Sequence, residues 1–146
     1  ILTRKTTGIK ISFRGDGKTY KLLLSDGGSR VGGGGGGRQT PSWQANLPTK
    51  KSTTTKDNED DEQWQELIIP FTSFIPCVGV GRNRKTGREH LEEGQNGVLD
   101  PVEMKQIGLM LSLLLADGQP NPQTTFGSGI FDFSLQVRSI EPVVME

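Results

Sequence analysis

The stretch GIKISFRGDGKTYKLLL, Gly8 to Leu24, decides the fold. Ile9, Ile11 and Phe13 alternate with Lys10, Ser12 and Arg14, the period of two that places one face of a strand in a core and the other in water. Gly15-Asp16-Gly17 follows, and Asp-Gly tolerates the positive φ angles of a tight turn, so a β-hairpin is expected here. Lys18 to Ser25 would be its returning strand, with Tyr20, Leu22 and Leu24 on one face.

Working outward, the same periodicity recurs. Trp43, Ala45 and Leu47 alternate across Ser42 to Leu47, and Trp64 to Ile69 forms a further run that Pro70 closes, since proline cannot donate a ladder hydrogen bond. Asp100-Pro101 resembles a helix N-cap followed by proline at the first helical position and predicts one short turn over Val102 to Gln106. Ile107, Leu109, Leu111 and Leu113 form a strand whose other face carries Met110 and Leu114; apolar on both faces, it is expected at the centre of a sheet. Phe131, Phe133, Leu135 and Val137 alternate with Asp132, Ser134, Gln136 and Arg138 as the last strand. Six strands and no long amphipathic helix predict an all-β protein, a jelly-roll-like β-sandwich. Its core would draw on Phe13, Leu22, Leu24, Leu109, Leu111, Phe133, Leu135 and Val137.

The intervals between strands read as long flexible loops at 26–41, 48–62 and 76–97. The first contains six consecutive glycines, Gly32 to Gly37, which lose too much backbone entropy on ordering to hold a regular element. With 146 residues, 32% of them hydrophobic, the chain fits one domain over residues 1–146 with one modest core. Twenty glycines and eight prolines suit many turns between short strands.

Composition excludes several classes. Seventeen basic and seventeen acidic side chains cancel, so no global field draws in nucleic acid or anionic lipid. One cysteine, Cys77, and one histidine, His90, supply neither an internal disulfide nor a structural zinc site and favour a reducing compartment. The longest apolar stretch, Ile107 to Ala116, falls short of the about 20 residues that span a bilayer as a helix. The chain opens on Ile1 without a basic-then-apolar leader, so targeting is not read directly.

No motif completes a catalytic or cofactor site, and none is expected. Arg38 and Gln39 follow the hexaglycine where a phosphate loop needs lysine and a hydroxyl, and the dinucleotide pattern it satisfies lacks the flanking strand and helix. Phe126 stands where the nucleophile elbow around Ser128 needs glycine. His90 reads as a solvated loop histidine. The acidic run Asp57 to Glu62 puts Glu62 and Ile68 where a calcium loop needs glycine and glutamate, so no metal site is predicted. Arg82, Arg84, Lys85 and Arg88 gather four cations in seven residues and are the expected partner-binding cluster, suited to an acidic protein surface and lacking the interleaved aromatics of a nucleic-acid binder. Tyr20, Trp43 and Trp64 are the candidate rings of a ligand platform, although their phase favours core packing.

Four blocks, Gly8 to Leu24, Trp64 to Pro76 (WQELIIPFTSFIP), Leu99 to Ser112 (LDPVEMKQIGLMLS) and Phe133 to Ile140 (FSLQVRSI), resemble in this order the complex I intermediate-associated protein 30 family. The resemblance implies a galactose-binding-domain-like jelly roll and a non-enzymatic assembly factor or structural scaffold of a large organellar complex, photosynthetic or respiratory. Its partners would be protein subunits. It implies a chloroplast, on the stromal side of the thylakoid, or a mitochondrion. Two alternatives remain beside it, a carbohydrate-binding module and an RNA-associated chloroplast translation or assembly domain. Against the family pattern, the opening strands and their glycine-serine motif are not found before Gly8, and the loops at 26–41, 48–62 and 76–97 are longer than the family core needs.

Overall fold

A computed structural model of the chain describes residues 2–27, 40–51, 64–78, 85–91, 97–122 and 132–146. Among them are eight strands: β1 (Gly8–Gly15), β2 (Thr19–Ser25), β3 (Ser42–Pro48), β4 (Gln65–Pro70), β5 (Ile75–Val78), β6 (Lys85–Thr86), β7 (Gln106–Met110) and β8 (Leu135–Val143). They form two antiparallel sheets, one ordered β4-β1-β8 and the other β6-β5-β3-β2-β7. The fold is the expected all-β sandwich. Ile9, Ile11 and Phe13 from β1 and Ile69 from β4 meet Tyr20, Leu22 and Leu24 from β2 and Trp43, Ala45 and Leu47 from β3 in one buried cluster. Phe71, which opens a single 3-10 turn, and Phe74, which follows it, close its end with ring centroids 6.1 Å apart.

The hairpin expected at Gly15-Asp16-Gly17 is instead a crossing between sheets, since β1 and β2 belong to different ones. Their apolar faces therefore oppose each other across the interior rather than lying side by side. Gly17, at φ 92°, makes the reversal, and its N–H donates to Thr49 Oγ1 at 2.9 Å, while that hydroxyl donates to the Lys18 carbonyl at 2.7 Å. A Cβ at Gly15 would lie 2.6 Å from Thr49 Oγ1, so only glycine lets the strands diverge here.

The strand at Ile107 is not central. β7 pairs with β2 alone, as the last strand of its sheet, and Leu109, opposite the buried Leu22, is 40% exposed. Its apolar composition reflects a margin that nothing among the described residues covers. The last strand is also displaced: it begins at Leu135, so Phe133 lies ahead of the sheet and is 71% exposed, outside the core assigned to it. Leu111, Leu135 and Val137 pack against the core from partly buried positions. The stretch 76–97, read as a loop, contributes β5 and β6, because Pro76 and Cys77 align with Trp43 and Ser42 of β3. Most of the stretches 26–41 and 48–62, the hexaglycine included, lie outside the described residues. At Asp100 the carboxylate accepts the Val102 N–H at 3.0 Å, the expected cap, and a single turn leads into β7.

The outward face of the five-stranded sheet is covered in part. Residues 112–121 lie over it, with the Ala116 N–H donating to Asn46 Oδ1 at 2.8 Å and Asn121 Nδ2 to the Thr19 carbonyl at 2.9 Å. Beneath that segment Lys21 is only 1% exposed and Gln44 is buried, on a face whose alternation reads as wet.

Candidate functional site

Of the residues singled out in the sequence, the described ones have different surroundings. Arg82 and Arg84 lie outside the described residues. Lys85 is exposed on β6. Arg88 is engaged internally: its Nε donates to the Gly97 carbonyl at 2.7 Å, and its Nη2 donates to the carbonyls of Phe74 at 3.0 Å and Thr72 at 3.4 Å. The guanidinium thus ties three loop carbonyls together around the core-closing Phe74, a structural use of the same planar fork that suits arginine to carboxylates.

The three rings separate as well. Trp43 and Tyr20 are buried in the core. The Tyr20 hydroxyl lies 3.2 Å from both Asp16 oxygens and 3.1 Å from the Ser134 carbonyl, while the Ser134 N–H donates to Asp16 at 2.9 Å. Burial, with the Asp16 charge second, pushes the Tyr20 phenol up to about 12. Burial alone would raise the Asp16 carboxyl, but hydrogen bonds from Lys18 and Ser134, with the Lys18 charge, outweigh it and hold the group below its ordinary value. This network fastens the β1–β2 crossing to the start of β8. Trp64 alone stays near the surface, half-buried beside β4, with the guanidinium carbons of Arg14 and Arg138 at 4.9 and 4.8 Å from its ring centroid.

Two apolar margins are new relative to the sequence reading. On β7, Ile107 and Leu109 sit opposite Leu24 and Leu22; on β8, Ile140 sits opposite Ile11. All three share the phase of the core yet remain exposed, and Phe133, two residues ahead of β8, is exposed as well. Strand periodicity gave the correct phase but no information on which strands end a sheet. Large exposed apolar residues of this kind mark surfaces that meet other proteins, and free strand edges add unpaired backbone groups. Among the described residues, no three His, Cys, Asp or Glu side chains gather as a metal-holding group, and no helix is long and apolar enough to cross a membrane.

Comparison with known proteins gives one match. The family model described as Complex I intermediate-associated protein 30 matches residues 2–137. No curated protein and no solved structure matches the chain.

Proposed function

Because the chain belongs to the complex I intermediate-associated protein 30 family, we propose that it is a non-catalytic protein-interaction module, an assembly factor or scaffold for a large complex in an organelle, mitochondrion or chloroplast. The observation that carries this reading is the pair of apolar margins: Ile107, Leu109 and Ile140 point the way the core points and are left open. A partner subunit that covered them would remove apolar surface from water at about 25 cal/mol per Å², and hydrogen bonding to the free edge of β7 or β8 would fix its register. The family's own description, which names an intermediate of complex I, supports a respiratory partner over a photosynthetic one. A carbohydrate platform draws no support from the rings, two of which are core residues.

Purification of the tagged chain from organelles under native conditions, with mass spectrometry of what accompanies it, tests the proposal. The chain should migrate with protein subunits in a particle much larger than itself, and Leu109→Asp should release it while leaving the fold intact. Migration alone, or undiminished association of the Leu109→Asp variant, would count against it.

A further inference from the structure

We infer that the outward face of the three-stranded sheet holds a second docking site, built from Arg14 and Arg138 on the ring of Trp64, for a carboxylate-bearing segment of a partner protein. The inference takes from the proposed function only that the partner is a protein, and it concerns a surface other than the apolar margins.

Three neighbouring strands supply the residues. Arg14 is near the end of β1, Trp64 immediately precedes β4, and Arg138 lies in β8. The ladder between β1 and β8 slips between Ser12 and Phe13: Ser12 pairs with Ser139 and Phe13 with Val137, leaving Arg138 as the inserted residue. A bulge of this kind re-aims a side chain, and here the re-aimed guanidinium comes 4.8 Å from the centroid of the Trp64 ring, over which Arg14 also lies at 4.9 Å. Two like charges are thus held near one ring. The indole quadrupole offsets part of their repulsion, yet no carboxylate among the described residues pairs with either. Ion pairs among the described residues include Lys10–Glu66 and Lys18–Asp16; neither Arg14 nor Arg138 is in one. Arg14 Nε donates to the side-chain oxygen of Gln136, which uses one of the guanidinium's five donors.

An oxyanion that reaches the ring's rim would make charge-assisted bonds to either guanidinium. The indole limits their rotamers before binding, so less side-chain entropy is lost on contact. The surroundings select among anions. Base stacking needs a ring not already occupied by cations. Glu66, paired with Lys10, and Glu141, opposite Lys10 on the same face, leave one carboxylate in excess beside the two arginines, which disfavours a long uniform polyanion such as nucleic acid or an anionic bilayer. A protein segment with one or two carboxylates avoids that repulsion.

Titration of the intact chain with a short oligoglutamate peptide, followed by the two indole N–H resonances in nuclear magnetic resonance, tests the site. The Trp64 resonance should shift saturably, that of the buried Trp43 should not, and added salt should weaken the effect. The double substitution Arg14→Gln and Arg138→Gln should weaken binding by about tenfold with the Trp43 resonance in place. If the double variant does not fold, Arg138→Gln alone, on an exposed position of a terminal strand, and the salt series on the parent chain decide the matter. A Trp64 resonance that never saturates, or equal binding by a folded variant, overturns the inference. So does tighter binding of single-stranded RNA or of phosphatidylserine vesicles, and so does inorganic phosphate binding as well as the peptide, which would make this a small-anion pocket only. Lost organellar association with peptide binding intact would count against the assembly role and leave this site standing.

Discussion

Single residues here are decided by position more than by type. Phe13 and Phe133 are both strand-pattern phenylalanines, yet Phe13 is fully buried and Phe133 is 71% exposed. Phe13→Ala should cost about 3–5 kcal/mol, enough to unfold a marginal domain, whereas Phe133→Ala should change stability by less than about 0.5 kcal/mol; urea denaturation of both variants checks the contrast. Tyr20 is the chain's only tyrosine, so spectrophotometric titration reads it without overlap. Its phenol rises from 10.0 to about 12 on folding. The neutral form therefore contributes stability that is present in full below pH 10.0 and is lost as pH rises through about 12. Asp16 has the opposite sense: its carboxyl is lowered, so its contribution is present above the ordinary carboxylate range and lost as pH falls through the folded value. Tyr20→Phe should remove the alkaline component of the stability profile and leave the acid one. Absorbance showing ionisation at the ordinary phenol pH would refute the assignment.

Elements were legible from the sequence where a pattern is local. β1 to β4 sit where alternation put them, Pro70 ends β4, and Asp100 caps its turn. What periodicity cannot carry is adjacency. The same Asp-Gly signal serves a hairpin within one sheet or a crossing between two, and the choice was made by Thr49, 32 residues from the Gly17 N–H it holds. Likewise an apolar strand reads as central or as an uncovered margin with one and the same spelling, as β7 shows. Spelling also does not show that Arg88, Tyr20 and Trp43 find partners inside the fold, or that Arg14 and Arg138 owe their meeting at Trp64 to a bulge. The crossing itself is open to test. Gly15→Ala would drive a methyl group into Thr49, displacing the hydroxyl that bonds Gly17 and Lys18, at a cost of about 1–3 kcal/mol. A lowered urea midpoint with an unchanged slope is expected; an unchanged midpoint would mean that Thr49 yields freely.

At the scale of the whole molecule, the two sheets differ in how far apart in the chain their partners lie. β2 finds β3 after a short interval, but β1 completes its ladder with β8, and the Thr7 hydroxyl reaches the Val143 carbonyl across 136 positions. Closing so long an interval costs entropy before any contact rewards it, and topologies dominated by distant pairings fold in milliseconds to seconds. During synthesis at about 5–20 residues per second, β1 emerges long before its neighbour exists. Until β8 arrives, the edge of β1 that it later covers carries unpaired backbone groups, the kind of template that recruits other nascent chains. The pairing that joins the two ends of the described fold therefore leaves one edge of β1 open to other nascent chains until the last strand arrives.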